Sequence, residues 1–311
     1  MQLLKDLLQI QSPSGNETPM RDFLINYFKQ NQSLFKVQPQ LFFGDEFQDG
    51  LAVSFGKPKV AIFAHMDTVA YMARYNNALI EIGSPAGESG DVLIGEEFGT
   101  GLEAEVILQK EEDENGENKW FYNVDSKVLL RGTELVYKPN VVDDEEYIQS
   151  PYLDNRIGIY NALKVAETLE NGMLVFTCWE EHQGGAAAQM SRFVHDEFDI
   201  RKVLISDVTW VSEGIKQGLG TVISLRDEAI PRRKYVLQII EIANKSNLPY
   251  QVEVEDLGGS DGHEIQKVPY SIDWCFVGMP CENMHSSKER ILKADLENTI
   301  KLYVALMKEL N

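Results

Sequence analysis

Long apolar runs are missing from this sequence. Of its 311 residues 43% are hydrophobic, yet no stretch approaches the ~18 uninterrupted apolar residues that cross a bilayer. The opening segment, MQLLKDLLQIQSPSGNE, has neither a basic n-region nor a small-residue cleavage site. It reads as a short amphipathic helix and a turn, not as a secretory leader, and a cytoplasmic location is expected. Cysteine is scarce: Cys178, Cys275 and Cys281 form no C-x-x-C pair, which argues against a disulfide framework or a structural zinc knuckle. The first two lie in apolar strand-like runs and read as small buried side chains, while Cys281 falls in a loop and receives no role. Basic charge is also short, with 29 Lys and Arg against 49 Asp and Glu, a net charge of -20. A surface this acidic repels nucleic acid and anionic membrane, so neither is expected as a partner. The acidic runs at 111–115 and 143–146 read as solvated loops. No G-x-S-x-G elbow, P-loop or G-x-G-x-x-G fingerprint is present, which removes the main motifs of serine hydrolases, nucleotide hydrolases and dinucleotide enzymes.

What is there is a rhythm of short strands and helices. Residues 17–31 carry apolar side chains at helical spacing, with Asn16 as the expected N-cap. The runs FKVQPQLFF, LAVSF and KVAIFA follow as strands, the last ending at His65. From about 75 to 140 the texture changes to Gly-rich turns and short strands (EAEVILQ, KWFYNV, ELVYK) without a helical pattern. Beyond Asp154, helices over 156–170, 185–198, 232–246 and 287–310 alternate with the strands MLVFTC, KVLIS, TVISL, QVEVE and SIDWCFV. That alternation implies an α/β domain, a mostly parallel mixed sheet with helices on both faces. The expected division is a body of residues 1–72 and 146–311, interrupted by a small all-β insert over 73–145.

Ligands of open α/β sheets bind beyond the carboxyl ends of the strands, and those positions carry a consistent chemistry here. KVAIFA is followed by His65-Met66-Asp67, MLVFTC-Trp179 by Glu180 and Glu181, KVLIS by Asp207, and SIDWCFVG with its loop by His285. Asp154 immediately precedes the 156–170 helix. Imidazole and carboxylate from five segments suit zinc, cobalt or manganese held at about 2.0–2.2 Å. Asp67, two residues from His65, is placed to accept the imidazole's second N–H and orient the ring. Of the adjacent Glu180 and Glu181, one can bind metal while the other takes a proton from water. Two buried neighbouring acids are costly without cations, and a metal pair answers that cost. His263-Glu264 is not part of H-E-x-x-H, because position 267 is Lys. His182 and His195 read as surface or supporting residues, and the loop 256–264 as a border of the substrate pocket.

The segments HMDT, SPYLDNRIG, WEEHQGGAAA, ISDVTW and MHSSKE, in this order, resemble the co-catalytic dinuclear metalloaminopeptidases. The closest group is the tetrahedral, or glutamyl, aminopeptidase family, some members of which carry an endoglucanase label. The resemblance extends over most of the chain and includes the N-terminal SPSGNE and the GGSDGHEIQ stretch. His65 and Asp154 lie 89 positions apart with a β-rich segment between them, similar to the family's inserted β-domain for dimer contacts. The resemblance implies two divalent metal ions, zinc first with cobalt or manganese as alternatives. Asp154 would bridge them, His65 and Asp207 would complete one site, and Glu181 and His285 the other, with Glu180 as general base. It further implies peptide substrates cleaved at the N-terminus and a homo-oligomer, from a dimer up to a dodecamer. The chain and its insert are shorter than is usual for the family. Thr-Val-Ala-Tyr follows Asp67 where the family more often has Glu-Ile-Gly, a difference that bears on pocket and assembly.

Three other readings remain open at this level. They are a deacylase or carboxypeptidase of the same dinuclear class, a glycoside hydrolase using Glu180 or Glu181, and a metal-binding protein without catalysis.

Overall fold

The computed structural model describes residues 1–123 and 128–311. Helices α1 (Gln2–Leu7) and α2 (Thr18–Gln30) precede β1 (Gln40–Gly44), β2 (Gln48–Phe55) and β3 (Ala61–His65). Six short strands follow: β4 (Ala70–Ala73), β5 (Ala78–Ile82), β6 (Val92–Glu97), β7 (Leu102–Glu112), β8 (Asn118–Tyr122) and β9 (Glu134–Tyr137). After β10 (Val142–Asp143) and β11 (Tyr147–Gln149) come α3 (Leu153–Ala166), β12 (Gly172–Thr177), α4 (Ala186–Phe198), β13 (Lys202–Ile205) and β14 (Val208–Trp210). The chain ends with β15 (Thr221–Arg226), α5 (Arg233–Ser246), β16 (Tyr250–Val254), α6 (Asp261–Lys267), β17 (Asp273–Cys281), β18 (Arg290–Leu292) and α7 (Lys293–Leu310).

The main sheet runs β1-β2-β12-β3-β13-β17-β15-β16, with β14 added alongside β17. Its centre, β12-β3-β13-β17, is parallel, while β2 and β15 join antiparallel. Central strands read as unbroken apolar runs because both faces are covered. Alternation is still visible in what each residue packs against. Ile62, Ala64, Leu174, Phe176, Cys275 and Val277 join the core beneath α1, α3, α5 and α7. Ala61, Phe63, Met173, Val175, Val203 and Phe276 join the smaller core on the α4 side. The α/β architecture with helices on both faces is therefore as expected. Strands β4-β5-β8-β7-β6-β9 close into an antiparallel barrel, the all-β insert, whose first strand begins at Ala70, three residues before the expected start at 73; closure leaves these strands no free edge. Among the described residues no helix is long and apolar enough to cross a membrane.

Several boundaries differ from the sequence reading. Asn16 does not cap α2; its side chain donates to Glu134 Oε2 at 2.8 Å, and the cap position falls to Glu17 without a side-chain cap bond. Of FKVQPQLFF only the last four residues enter a strand, Gln40–Gly44, because Phe35 turns inward onto Phe28 and Phe55, with ring centroids 5.4 and 5.9 Å away. Val124, the last residue of the KWFYNV run, lies outside the described residues. The helix expected over 156–170 starts at Leu153 and so contains Asp154. The closing helix starts at Lys293, because Arg290–Leu292 pair with β11 instead. Cys281 is not in a loop; it ends β17 and is fully buried. Strand β14 and helix α6 have too few residues for a periodic signal.

Gly158 shows how tightly α3 seats on the sheet. A Cβ there would lie 2.0 Å from Ser206 O and 2.2 Å from Asn155 Oδ1, so only a hydrogen lets the first turn of α3 approach the end of β13. Gly158→Ala is expected to cost ~1–3 kcal/mol through overpacking, read as a lower Tm. An unchanged Tm would contradict this close approach.

Candidate metal centre

Parallel strands carry their C-terminal ends to one edge, and the site assembles there. Residues His65 and Thr177 are register partners on β3 and β12, so the segment after β12 emerges beside the imidazole. Trp179 at φ +62 turns the backbone and presents Glu180 and Glu181. Asp207 follows β13. Asp154 lies in the first turn of α3 with non-helical angles (φ -81, ψ 108), which aims its carboxylate out of the helix. His285 follows β17 with φ +64.

The ligand-type side chains expected from the sequence converge in two groups. His65, Asp154 and Asp207 form one, and Asp154, Glu181 and His285 the other; within each, one ligand atom per residue lies within 4.8 Å of the others. Asp154 belongs to both. Its Oδ1 is 3.1 Å from His65 Nε2 and its Oδ2 3.4 Å from His285 Nε2. Asp207 Oδ2 is 3.6 Å from His65 Nε2, and Glu181 Oε2 is 3.3 Å from His285 Nε2. Glu180 belongs to neither group, with Oε2 3.8 Å from His65 Nε2.

Asp67 does more than the sequence suggested. Its Oδ1 is 3.4 Å from His65 Nδ1, and the same ring nitrogen is 3.2 Å from the Asp67 carbonyl. In addition, the carboxylate accepts the backbone N–H of Glu180 (3.1 Å) and of Glu181 (3.0 Å) and the Ser14 hydroxyl (2.6 Å). Other supports were missed because no spacing announces them. Glu289 accepts the N–H of Asp154 with Oε2 (2.9 Å) and the N–H of His285 with Oε1 (2.8 Å), tying two segments 131 positions apart in one carboxylate's reach. Buried Arg156 donates to Met66 O, Ile10 O and Ser12 Oγ. Glu17 accepts the N–H of Gly15 and of Trp179, each at 3.0 Å. The His285 ring is held from the insert side, where Nδ1 is 3.0 Å from Ser84 Oγ.

Electrostatics decide what such a site demands. Burial pushes the Glu181 carboxyl up to about 8 and Asp207 up to about 6, and carries Glu180 well above the ordinary range. Burial alone would lower both histidines, but surrounding carboxylates outweigh it. His65 is raised well above its usual value by Asp207 and Glu180, and His285 to about 11 by Glu181 and Asp154. Protons are thus drawn in to offset buried negative charge. One oxygen, Glu181 Oε1, is buried with no hydrogen-bond partner, which costs free energy unless a cation meets it. Donor chemistry, crowding and this orphaned oxygen fit divalent metal ions.

The remaining histidines stay out of both groups. His182 is exposed and accepts the Gly83 N–H at 3.1 Å. His195 packs on Tyr270 and pairs with Asp196. His263 stands 3.7 Å from Glu228, on the wall of a cavity of about 920 Å³ that opens from the metal-type clusters. The expected border at 256–264 does line this cavity.

Fold and site define the class: an α/β metallopeptidase body carrying an inserted β-barrel. A model of the M42 glutamyl aminopeptidase family matches residues 129–302, more than half of the chain, and the chain belongs to that family. It is 27% identical to an Acetivibrio thermocellus protein provisionally described as an aminopeptidase, over 97% of this chain and 96% of that one. It is 23% identical to the lysyl aminopeptidase of Pyrococcus furiosus, over 99% and 97%. Among solved structures, the Pyrococcus horikoshii TET1 peptidase, described as assembling into a tetrahedron or a large octahedral shell, superposes with a TM-score of 0.77 at 20% identity, covering 98% of each chain. The protein is a metal-dependent aminopeptidase.

Glu17 gives the site a measurable pH signature. Burial, with Asp67 adding to it, raises its carboxyl from 4.5 to about 7. The folded state therefore holds a proton that the unfolded state releases, so stability falls as pH rises from about 4.5 through 7. Glu17→Gln keeps an oxygen for the Gly15 and Trp179 amides and removes that fall. The Tm of the variant minus that of the wild type should rise between about pH 5 and pH 8; a flat difference counts against the assignment.

Proposed function

We propose that this aminopeptidase works through two divalent cations, one held by His65, Asp154 and Asp207 and the other by Asp154, Glu181 and His285. The observation that carries the reading is the sharing of Asp154, one oxygen facing each histidine. Nitrogen and oxygen donors favour zinc, with cobalt and manganese acceptable to the same set. Bound there, such cations supply Lewis-acid polarisation of the scissile carbonyl and lower the pKa of the attacking water. Glu180, with Oε2 3.8 Å from His65 Nε2 but part of neither group, is the general base. Its carboxylate takes the water's proton and returns it to the departing amine nitrogen. Asp67 keeps the His65 Nδ1 proton in place, leaving Nε2 free as a donor atom, and through two backbone amides sets where Glu180 and Glu181 begin. Substrates are peptides with a free amino terminus, entering the 920 Å³ cavity.

The insert, residues 73–145 within a body of 1–72 and 146–311, serves assembly in this reading. Its barrel leaves Ile80, Phe98, Leu102 and Ile107 exposed, Phe98 at 65%, a concentration of apolar side chains that association would cover. The shell-forming Pyrococcus horikoshii relative supports a homo-oligomer, from a dimer up to a dodecamer. Three free, buried cysteines suit a cytoplasmic home.

Glu180→Gln should lower kcat on aminoacyl-nitroanilides by roughly 10²–10⁴ with metal content retained, and a chelator should abolish wild-type activity until metal is restored. Full activity of the variant, or activity indifferent to chelation, would sink the mechanism. Light scattering should return a mass that is a multiple of 35.2 kDa; a monomer would remove the assembly role of the barrel.

A further inference from the structure

The cavity beyond the metal centre has a wall that the chemistry above does not use. It is built from the ends of β15 and β16 and the loop into α6. It carries Asp227, Glu253, Glu255, Asp256 and Asp261. None of these five forms a salt bridge among the described residues, although Lys267 and His263 stand on the same wall; those pair with Glu264 and Glu228 instead. Assigning Asp154, Glu180, Glu181 and Asp207 to the metal site therefore leaves the rest of the cavity strongly negative.

Asp261 supplies the second, independent observation. Its side chain is only 3% exposed. Oδ2 accepts the Thr177 hydroxyl at 2.6 Å, but Oδ1 has no hydrogen-bond partner among the described residues and faces the cavity. Burial nonetheless raises this carboxyl from 3.8 to about 7. Its neighbours do not relieve it: Ser260, one residue earlier, donates to Asp227 Oδ2 (3.3 Å) and accepts the Gly262 N–H (3.2 Å), so its hydroxyl serves Asp227 and not Asp261. Glu253, 3% exposed, accepts the Thr209 hydroxyl, and Glu255 accepts the Ser212 hydroxyl (2.6 Å). These neutral donors orient the carboxyl groups without supplying a counter-charge, and burial raises Glu253 and Asp227, like Asp261, above the ordinary range.

We propose that this acidic wall is the recognition surface for the side chain of the substrate's N-terminal residue and that it selects Lys and Arg. The inference rests on the aminopeptidase reading of the adjoining metal site. A cationic side chain entering this cavity meets five acids without a salt-bridge partner among the described residues, two of them, Glu253 and Asp261, almost wholly removed from water, where a cation favours the charged form that burial disfavours. An acidic side chain meets the same groups as repulsion, so glutamyl and aspartyl substrates are rejected in spite of the family's name. Long aliphatic chains of the same shape gain neither effect.

The test compares kcat/KM of the metal-loaded enzyme for lysyl-, norleucyl-, leucyl- and glutamyl-nitroanilide. Norleucine matches the lysine stem without its charge. The lysyl substrate should exceed the norleucyl one by at least about tenfold, which corresponds to ~1.4 kcal/mol, and the glutamyl substrate should be the poorest. Glu253→Gln and Asp261→Asn should each lower the lysyl-to-norleucyl ratio several-fold. Should one variant fail to fold, the wild-type ratio still decides. A wild-type ratio at or below one overturns the inference, as does a ratio untouched by both substitutions. An enzyme that cleaves leucyl or glutamyl substrates best overturns the specificity alone. One that cleaves no aminoacyl substrate overturns the proposed mechanism and this inference with it.

Discussion

The active edge of this protein depends on a single buried carboxylate. Asp67 sits in the turn after β3 and reaches His65, both amides at the end of the β12 segment, and the Ser14 hydroxyl. Each contact fixes a different part of the site: a ring orientation, the starting point of Glu180 and Glu181, and the N-terminal turn. A charged group accepting several N–H and O–H bonds is more rigid than any one of them. Its pKa is lowered despite burial, because His65 and these donors outweigh the cost. Without Asp67 the two strand ends would keep their ladder and the Met66 N–H to Thr177 O bond but lose the tie between the segments beyond them.

Rigidity is needed because the site is otherwise repulsive. Asp154, Glu180, Glu181 and Asp207 crowd one rim, and the free energy of bringing them together is met by cations or by protons on the histidines. Glu289 opposes the splaying of two ligand segments by holding the amides of Asp154 and His285 together. Glu17 steadies Trp179 from behind. Three carboxylates outside the expected ligand set thus act on backbone amides, a use of acidic residues that overall composition disguises as surface charge.

The barrel is joined to this chemistry physically as well as in sequence. Ser84, between β5 and β6, touches His285 Nδ1, and the Ala86 N–H donates to the His285 carbonyl at 2.8 Å. His182 in turn accepts the Gly83 N–H. The insert therefore helps set the ring of one ligand while presenting apolar residues to the outside. On the proposed reading of the barrel, assembly and metal-site geometry share the same segment, so a change in one is felt in the other.

Much of the fold was legible because its signals are local. Apolar strands alternating with helices implied the mostly parallel sheet, and four of the chemistry-bearing residues stood after its strands with Asp154 at a helix start, so His65, Asp154, Glu181, Asp207 and His285 were readable from the sequence as one set. Short elements such as β14 and α6 were not legible, since three to seven residues carry too little periodicity. Nor were helix starts where a strand claims the first residues, as β18 does before α7. The supports escaped for a different reason. Glu17 and Glu289 lie 272 positions apart and look like ordinary surface acids; only burial and the amides that they accept distinguish them. Sequence alone determined the donor types and their places at strand ends, because side-chain chemistry and strand periodicity are properties of the chain. Only tertiary structure decided that Asp154 faces both histidines, that Asp67 serves two amides as well as a ring, and that five acids form one wall. Those facts are distances between segments that the chain order leaves far apart.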